Sequence, residues 1–95
     1  MLFAVHALDS PNGLENRLAH HPAHRAFLPT AGDYGVTLVM SGPLVADDGE
    51  TMIGSLLIVE APDRAAVERF NRADPFAKAG VWAQVTITRF LRRQG

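Results

Sequence analysis

Residues 36–60 read VTLVMSGPLVADDGETMIGSLLIVE and decide the fold of this chain. Two apolar runs, residues 36–45 and 52–60, flank Asp47-Asp48-Gly49, which is a typical turn sequence. This arrangement predicts a β-hairpin. Gly42-Pro43 lies inside the first run and indicates a bulge or an edge strand, because proline cannot donate a hydrogen bond to a central ladder.

Two further strands are predicted outside the hairpin. Residues 2–8 form a short apolar run that predicts a buried strand. Residues 81–91 predict the last strand, with Val81, Ala83, Val85 and Ile87 alternating against residues that include Trp82. The hairpin therefore lies between two single strands in the chain.

The segment before the hairpin is predicted to be helical. Ser10-Pro11 is typical of a helix start, and Leu14 and Leu18 are expected to form its apolar stripe. Pro22 predicts a break, because proline lacks the amide donor and clashes with the preceding turn. A second helical stretch is expected from Pro22 to Ala31.

The segment after the hairpin predicts another helix. Asp63 is its expected N-cap, Val67 and Phe70 lie on its inward face, and Asp74-Pro75 ends it. The order β-α-β-β-α-β predicts one ferredoxin-like α+β domain over residues 1–95, with two helices on one face of a four-stranded antiparallel sheet. Because the sheet is apolar on both faces, we expect a homodimer that packs sheet against sheet.

Composition excludes several classes of function. The 95 residues carry a net charge of −1 and no basic cluster before Arg92-Arg93, which argues against a nucleic-acid partner. Cysteine is absent, so disulfides, iron–sulfur clusters and thiolate nucleophiles are excluded. The chain has neither an apolar run of about 18 residues nor a basic leader, so no membrane association or secretion signal is expected. We therefore expect a cytoplasmic protein.

His24 and Asp74 are the polar residues that depart most clearly from the local pattern. His24 precedes Phe27 and Leu28 by three and four residues and so shares their apolar face. Asp74 follows Phe70 by four residues and ends a helix, where the dipole disfavours an anion. Alternatively, His24 is a satisfied core histidine and Asp74 caps the loop before Pro75. In the predicted fold the two can meet, and the carboxylate would then orient the imidazole as an acid or base.

Other candidates would surround this pair. Ser41, Gly42 and Pro43 are expected to line the same cleft if a bulge turns their strand inward. The first strand carries His6, which faces either the cleft or the core. Apolar walls for a planar substrate are expected from three aromatic residues, Phe27, Phe76 and Trp82.

No metal or cofactor site is predicted. His20 and His24 have helical spacing, but Pro22 is expected to break the helix between them, and the H-E-x-x-H pattern is absent. The chain also lacks glycine-rich phosphate loops and the G-x-S-x-G motif.

The chain resembles the YCII-related family over nearly its whole length. The matching segments, in order, are Ala7-Leu8-Asp9, Arg17-Leu18, Pro22-Ala23-His24, Ser41-Gly42-Pro43, Gly54-Ser55, Ala73-Asp74-Pro75-Phe76 and Ala79-Gly80-Val81. The resemblance implies a ferredoxin-like fold that assembles as a dimeric α+β barrel. It also implies a catalytic His–Asp pair, with His24 at the family histidine and Asp74 as the aspartate. One such relative is a dehydrochlorinase that acts on a chlorinated hydroxyquinol.

Three functions follow as hypotheses. The first is an enzyme that uses His24 and Asp74 for proton transfer in an elimination or isomerisation of a small organic molecule. The second is a non-catalytic module that binds a small ligand in the same cleft. The third is a dimeric interaction protein in which the pair is structural.

Overall fold

The computed structural model describes all residues from Met1 to Gly95. A four-stranded antiparallel sheet has the order β2-β3-β1-β4, which confirms the predicted ferredoxin-like α+β fold. The elements are β1 (Leu2–Asp9), α1 (Leu14–Phe27), a 3-10 helix (Leu28–Tyr34), β2 (Thr37–Val45), β3 (Met52–Glu60), α2 (Arg64–Ala73), α3 (Pro75–Lys78) and β4 (Trp82–Phe90).

The core lies between one face of the sheet and the helices. Alternate residues of the two central strands β1 and β3, among them Phe3 and Leu57, are at most 3% exposed. Val67 and Phe70 of α2 pack in the same cluster. The inward face predicted for α2 is thus confirmed, and Asp63 caps the helix by accepting a hydrogen bond from the Ala66 amide.

The first helix is continuous, and the predicted break at Pro22 is wrong. α1 runs from Leu14 to Phe27 with Pro22 inside it. Pro22 is exposed and leaves only the Leu18 carbonyl without its helical donor, so contacts of the helix with the rest of the domain outweigh a local cost of about 3 kcal/mol. None of the helices is both long and hydrophobic enough to span a bilayer.

α1 buries polar rather than apolar side chains. Leu14 and Leu18 are exposed, which corrects the predicted stripe. Arg17 and His24, seven residues apart, are the buried residues of this helix. Since residues seven apart occupy one helix face, a polar pair stands where a core helix normally carries leucine or valine.

The helix also begins later than the sequence indicates. Gly13 occupies the N-cap position, and Ser10 instead ties the chain to the segment before β4. The Ser10 hydroxyl donates to the Gly80 carbonyl at 3.0 Å, and its amide donates to the Val81 carbonyl. A Cβ at Gly13 would lie 2.6 Å from the Ser10 carbonyl oxygen, so this close approach requires glycine.

The strand pairing of the sheet is irregular in two places, one on β2 and one on β4. β2 is an edge strand, as Pro43 indicated, and its pairing with β3 shifts register between Leu38 and Met40. On β4 the register shifts so that Leu8 pairs with Gln84 but Asp9 pairs with Trp82. This bulge brings the Trp82 side chain to the helix-covered face, whereas strict alternation placed it with Gln84 on the other face.

No helix covers the opposite side of the sheet, which we call the outer face. Its central residues are Ala4, Leu56 and Ile58, and a shallow groove of about 300 Å³ with mostly apolar walls runs across it. His6 also lies on this face, because it pairs with Leu56 in the ladder between β1 and β3.

Candidate active site

His24 and Asp74 are in direct contact, a pairing that the sequence raised only as a hypothesis. Nδ1 of His24 lies 2.8 Å and 2.9 Å from the two carboxylate oxygens of Asp74, and both residues are buried. Asp74 ends α2 and caps α3, where Oδ1 accepts a hydrogen bond from the Phe76 amide. The capping role and the contact with histidine therefore coexist, since a carboxylate accepts several hydrogen bonds.

This contact fixes the tautomer of the imidazole. An ionised carboxylate only accepts hydrogen bonds, so Nδ1 of His24 carries a proton and donates it to Asp74. Nε2 of His24 makes no hydrogen bond to protein. Because every buried side-chain nitrogen and oxygen has a hydrogen-bond partner, Nε2 is not fully buried. Nε2 is therefore the accessible nitrogen. In the neutral ring it has a free lone pair and can accept a proton from a bound molecule.

Aromatic side chains hold the imidazole in place. The Phe76 ring stacks on His24 with centroids 4.1 Å apart and planes within 9° of parallel. Trp82 approaches edge-on with its centroid at 6.2 Å. Because the ring is held on its face, at its edge and at Nδ1, the direction of Nε2 is fixed by the fold.

His24 lines a cavity of about 250 Å³ between α1 and the edge of the sheet, which we call the His24 cavity. The structure places the predicted segment Ser41-Gly42-Pro43 in its wall. The other lining residues are Arg17, His21, Arg25, Leu28, Met52, Ser55 and Leu57.

The predicted aromatic walls are not part of this cavity. Phe76 is fully buried behind His24, and Phe27 packs on Phe70 and Tyr34 in the core. Trp82 is also buried, at 7% exposure, because the bulge turns it inward. These side chains support the imidazole or the core rather than offering a surface to a substrate, so their expected place in the wall was wrong.

His6 is likewise remote from the His24 cavity. It faces neither the cleft nor the core, because it lies on the outer face of β1 between Ala4 and Leu8. The side chain points away from the helices, and its placement in the site was wrong.

Sequence reasoning missed a second polar cluster beside the pair. The guanidinium of Arg17 donates to both carboxylate oxygens of Asp9, with Nε at 2.7 Å and Nη2 at 3.1 Å. Nη2 also lies 2.6 Å from Oγ of Ser55, and Trp82 donates its indole N–H to the same oxygen at 3.2 Å. The signal in the sequence was the position of Arg17, seven residues before His24 and on the same helix face.

The arrangement does not form a metal site. No three His, Cys, Asp or Glu side chains converge. Although α1 is continuous, His20 directs Nδ1 to the carbonyl of Asn16 at 3.0 Å, while His24 is engaged by Asp74. The two histidines therefore make different contacts, although their spacing along the helix is that of a metal-binding pair.

Fold and site together define a class: a ferredoxin-like α+β protein with a buried His–Asp pair that opens onto a small polar cavity. The YCII-related domain model matches residues 1–91, and the chain belongs to that family. The protein YciI of Escherichia coli is 35% identical over 97% of this chain and 98% of its own length. A protein of Haemophilus influenzae is 33% identical over the same shares.

Solved structures extend the comparison. The 5-chloro-2-hydroxyhydroquinone dehydrochlorinase of Burkholderia phenoliruptrix, in complex with 2,5-dihydroxybenzoquinone, superposes with a TM-score of 0.85. It is 32% identical, and the match covers 98% of this chain and 96% of the other. An antibiotic biosynthesis monooxygenase matches with a TM-score of 0.53 and 17% identity over 97% of this chain and 100% of its own, which shows a shared fold alone.

Proposed function

We propose that this protein is an acid–base enzyme that eliminates chloride from, or isomerises, a small hydroxylated ring compound, with His24 as the base and Asp74 as the residue that orients it. The observation that carries the proposal is the accessible Nε2 of His24, which faces a cavity while Nδ1 is held by a buried carboxylate. The similarity to a dehydrochlorinase over nearly the whole chain supports a small-molecule enzyme.

The proposed elimination balances without an external oxidant. In a chlorinated hydroquinone, the carbon that bears chlorine takes up the proton of the neighbouring hydroxyl, which becomes a carbonyl. Nε2 of His24 then accepts the proton of the hydroxyl opposite that carbonyl. The O–H electron pair forms the second carbonyl, the ring double bond at that carbon shifts by one position onto the carbon that bears chlorine, and chloride leaves with the electron pair of the C–Cl bond. The products are a quinone, a proton and chloride.

The test uses 5-chloro-2-hydroxyhydroquinone under anaerobic conditions, with chloride release as the measured quantity. His24→Asn is the informative variant, because its amide can still donate to Asp74 but offers no base at the position of Nε2. We expect the rate to fall by about 100-fold or more, with an unchanged circular dichroism spectrum.

His20→Ala is the matched control, since His20 lies on the same helix but outside the His24 cavity. It should release chloride at the wild-type rate. Equal rates for wild type and His24→Asn would contradict the proposed role. Stoichiometric binding of the compound with no chloride release would favour the ligand-binding module instead.

We further propose that the outer face packs against a second copy of the chain. Support comes from the apolar side chains of Leu2, Met40, Leu56 and Ile58, which no helix covers. A domain of 95 residues buries a smaller fraction of its surface on folding than a larger domain does, so association would add apolar burial. A two-fold interface is the commonest form of association between identical chains.

A further inference from the structure

Ser55 on β3 lies between two groups that can only donate hydrogen bonds. Nη2 of Arg17 is 2.6 Å from its Oγ, and the indole nitrogen of Trp82 is 3.2 Å away. A guanidinium and an indole N–H have no acceptor capacity, so the serine oxygen accepts from both. The two lone pairs of the hydroxyl are then occupied, and its proton is the remaining hydrogen-bonding group.

The proton of Ser55 has no acceptor within the protein. The two contacts with Arg17 and Trp82 are the hydrogen bonds that Oγ makes, and both are donations to it. Ser55 is 3% exposed and lines the His24 cavity. A nearly buried hydroxyl with an unused donor therefore faces the space into which His24 opens. A donor left unsatisfied there is costly unless water or a bound ligand accepts from it.

The electrostatic surroundings favour a negatively charged acceptor. Asp9 accepts hydrogen bonds from Nε and Nη2 of Arg17. Nη1 makes no hydrogen bond, and because every buried side-chain nitrogen has a partner, Nη1 is not enclosed by protein. Arg25 stands at the same cavity, and no carboxylate lines it. A charged guanidinium bonded to Ser55 also strengthens the hydroxyl as a donor, because hydrogen bonds in a chain polarise one another.

We infer that the Ser55 hydroxyl, together with Nη1 of Arg17, binds an ionised oxygen of the substrate, so that the His24 cavity selects phenolate- or enolate-type ring compounds over neutral ones. The inference deepens the proposed function, because it names the charge state of the substrate at the same site. It assigns to Ser55 a role in specificity that is separate from proton transfer at His24.

The test measures binding by calorimetry with two probes of similar shape. The first is 2,5-dihydroxybenzoquinone, whose hydroxyls are vinylogous carboxylic acids and are therefore ionised at neutral pH. The second is 2,5-dimethyl-1,4-benzoquinone, which has methyl groups in place of those oxygens. We expect Ser55→Ala to weaken binding of the first probe by about tenfold or more, as for loss of a hydrogen bond to a charged group, and to leave binding of the second within about twofold.

Two further variants keep the result interpretable. Ser10→Ala removes a surface hydroxyl outside the His24 cavity and should bind both probes as the wild type does. Ser55→Cys fills the same space with a much weaker donor and should also lose affinity for the ionised probe, which covers the case that Ser55→Ala does not fold.

Equal affinity of wild type and both Ser55 variants for the ionised probe would overturn the inference, as would an equal loss for both probes or no binding of the ionised probe by the wild type. The proposed function is judged separately by chloride release. Ser55-dependent binding without turnover would reject the proposed elimination and retain the anion subsite. Turnover with Ser55-independent binding would do the reverse.

Discussion

At the scale of single residues, Asp74 has two roles that one carboxylate can fill at the same time. It caps α3 through the Phe76 amide and holds Nδ1 of His24 at 2.8 Å. The cap alone would make it a structural residue, and the histidine contact alone would resemble a core ion pair. Their combination fixes an imidazole at a point where the chain leaves one helix and enters another.

The variant Asp74→Asn separates the capping role from the contact with His24. The asparagine oxygen can still cap α3, but the amide cannot accept from Nδ1 with two oxygens as the carboxylate does. We expect the other tautomer of His24 to gain population and the rate of chloride release to drop by about 100-fold or more. Asp63→Asn, which changes only the cap of α2, should keep the wild-type rate. Equal rates in both variants would refute the orienting role.

The Asp9–Arg17 pair gives a second prediction at this scale, on stability. Both side chains are nearly inaccessible, at 6% and 3% exposure, so removal of either leaves a buried charge. Asp9→Leu and Arg17→Met should each lower the free energy of unfolding by about 3–5 kcal/mol. The double variant should lose clearly less than the sum, as measured by urea denaturation. Additivity within about 0.5 kcal/mol would show that the two charges are not coupled.

At the scale of elements, the turn of the β2–β3 hairpin contains a carboxylate that accepts several hydrogen bonds. Asp48 accepts a hydrogen bond from the Thr51 hydroxyl and from the amides of Thr51 and Glu50. These bonds, the hydroxyl first, lower the pKa of Asp48 from 3.8 to about 2. Because the pKa is lower in the folded state, the stabilisation is complete above about pH 4 and is lost as the pH falls through about 2.

Asp48→Asn removes this dependence on pH. We expect the urea midpoint of the wild type to fall more steeply than that of the variant between pH 4 and pH 2. Asp47→Asn serves as the control, because Asp47 is an exposed neighbour in the same turn. Parallel curves for wild type and Asp48→Asn would contradict the contribution of these hydrogen bonds.

The elements also explain how a helix with a central proline remains intact. α1 loses one internal hydrogen bond at Pro22, yet Arg17 before it and His24 after it are anchored to Asp9 and Asp74. The helix is therefore held on both sides of Pro22 by two buried polar contacts. The same contacts that hold the helix also build the candidate site.

At the scale of the whole molecule, the proposed dimer makes a direct prediction. Ile58→Lys places a charge at the centre of the outer face and should convert a dimer of 10.3 kDa chains into monomers. Light scattering coupled to size exclusion measures the mass. Ala65→Lys, on the exposed side of α2, should leave the mass unchanged. A monomeric wild type would contradict the proposed interface.

The sequence by itself determined the order of the strands and helices, the hairpin at residues 36–60 and the candidates His24 and Asp74. These features follow from periodicity, turn residues and polar residues on apolar faces, all of which are local properties of the chain. Local periodicity also predicted that Leu14 and Leu18 face inward. That prediction was wrong, because the buried face of α1 carries Arg17 and His24 instead of apolar residues.

Only the tertiary structure decided which side chains meet. The bulge that turns Trp82 inward and the cluster of Asp9, Arg17 and Ser55 join residues that lie up to 73 positions apart. No sequence pattern within a few residues of Ser55 indicates that the two side chains in contact with its hydroxyl, Arg17 and Trp82, are both hydrogen-bond donors. That fact depends on strand register and helix placement, which are set by packing of the whole domain rather than by any one segment.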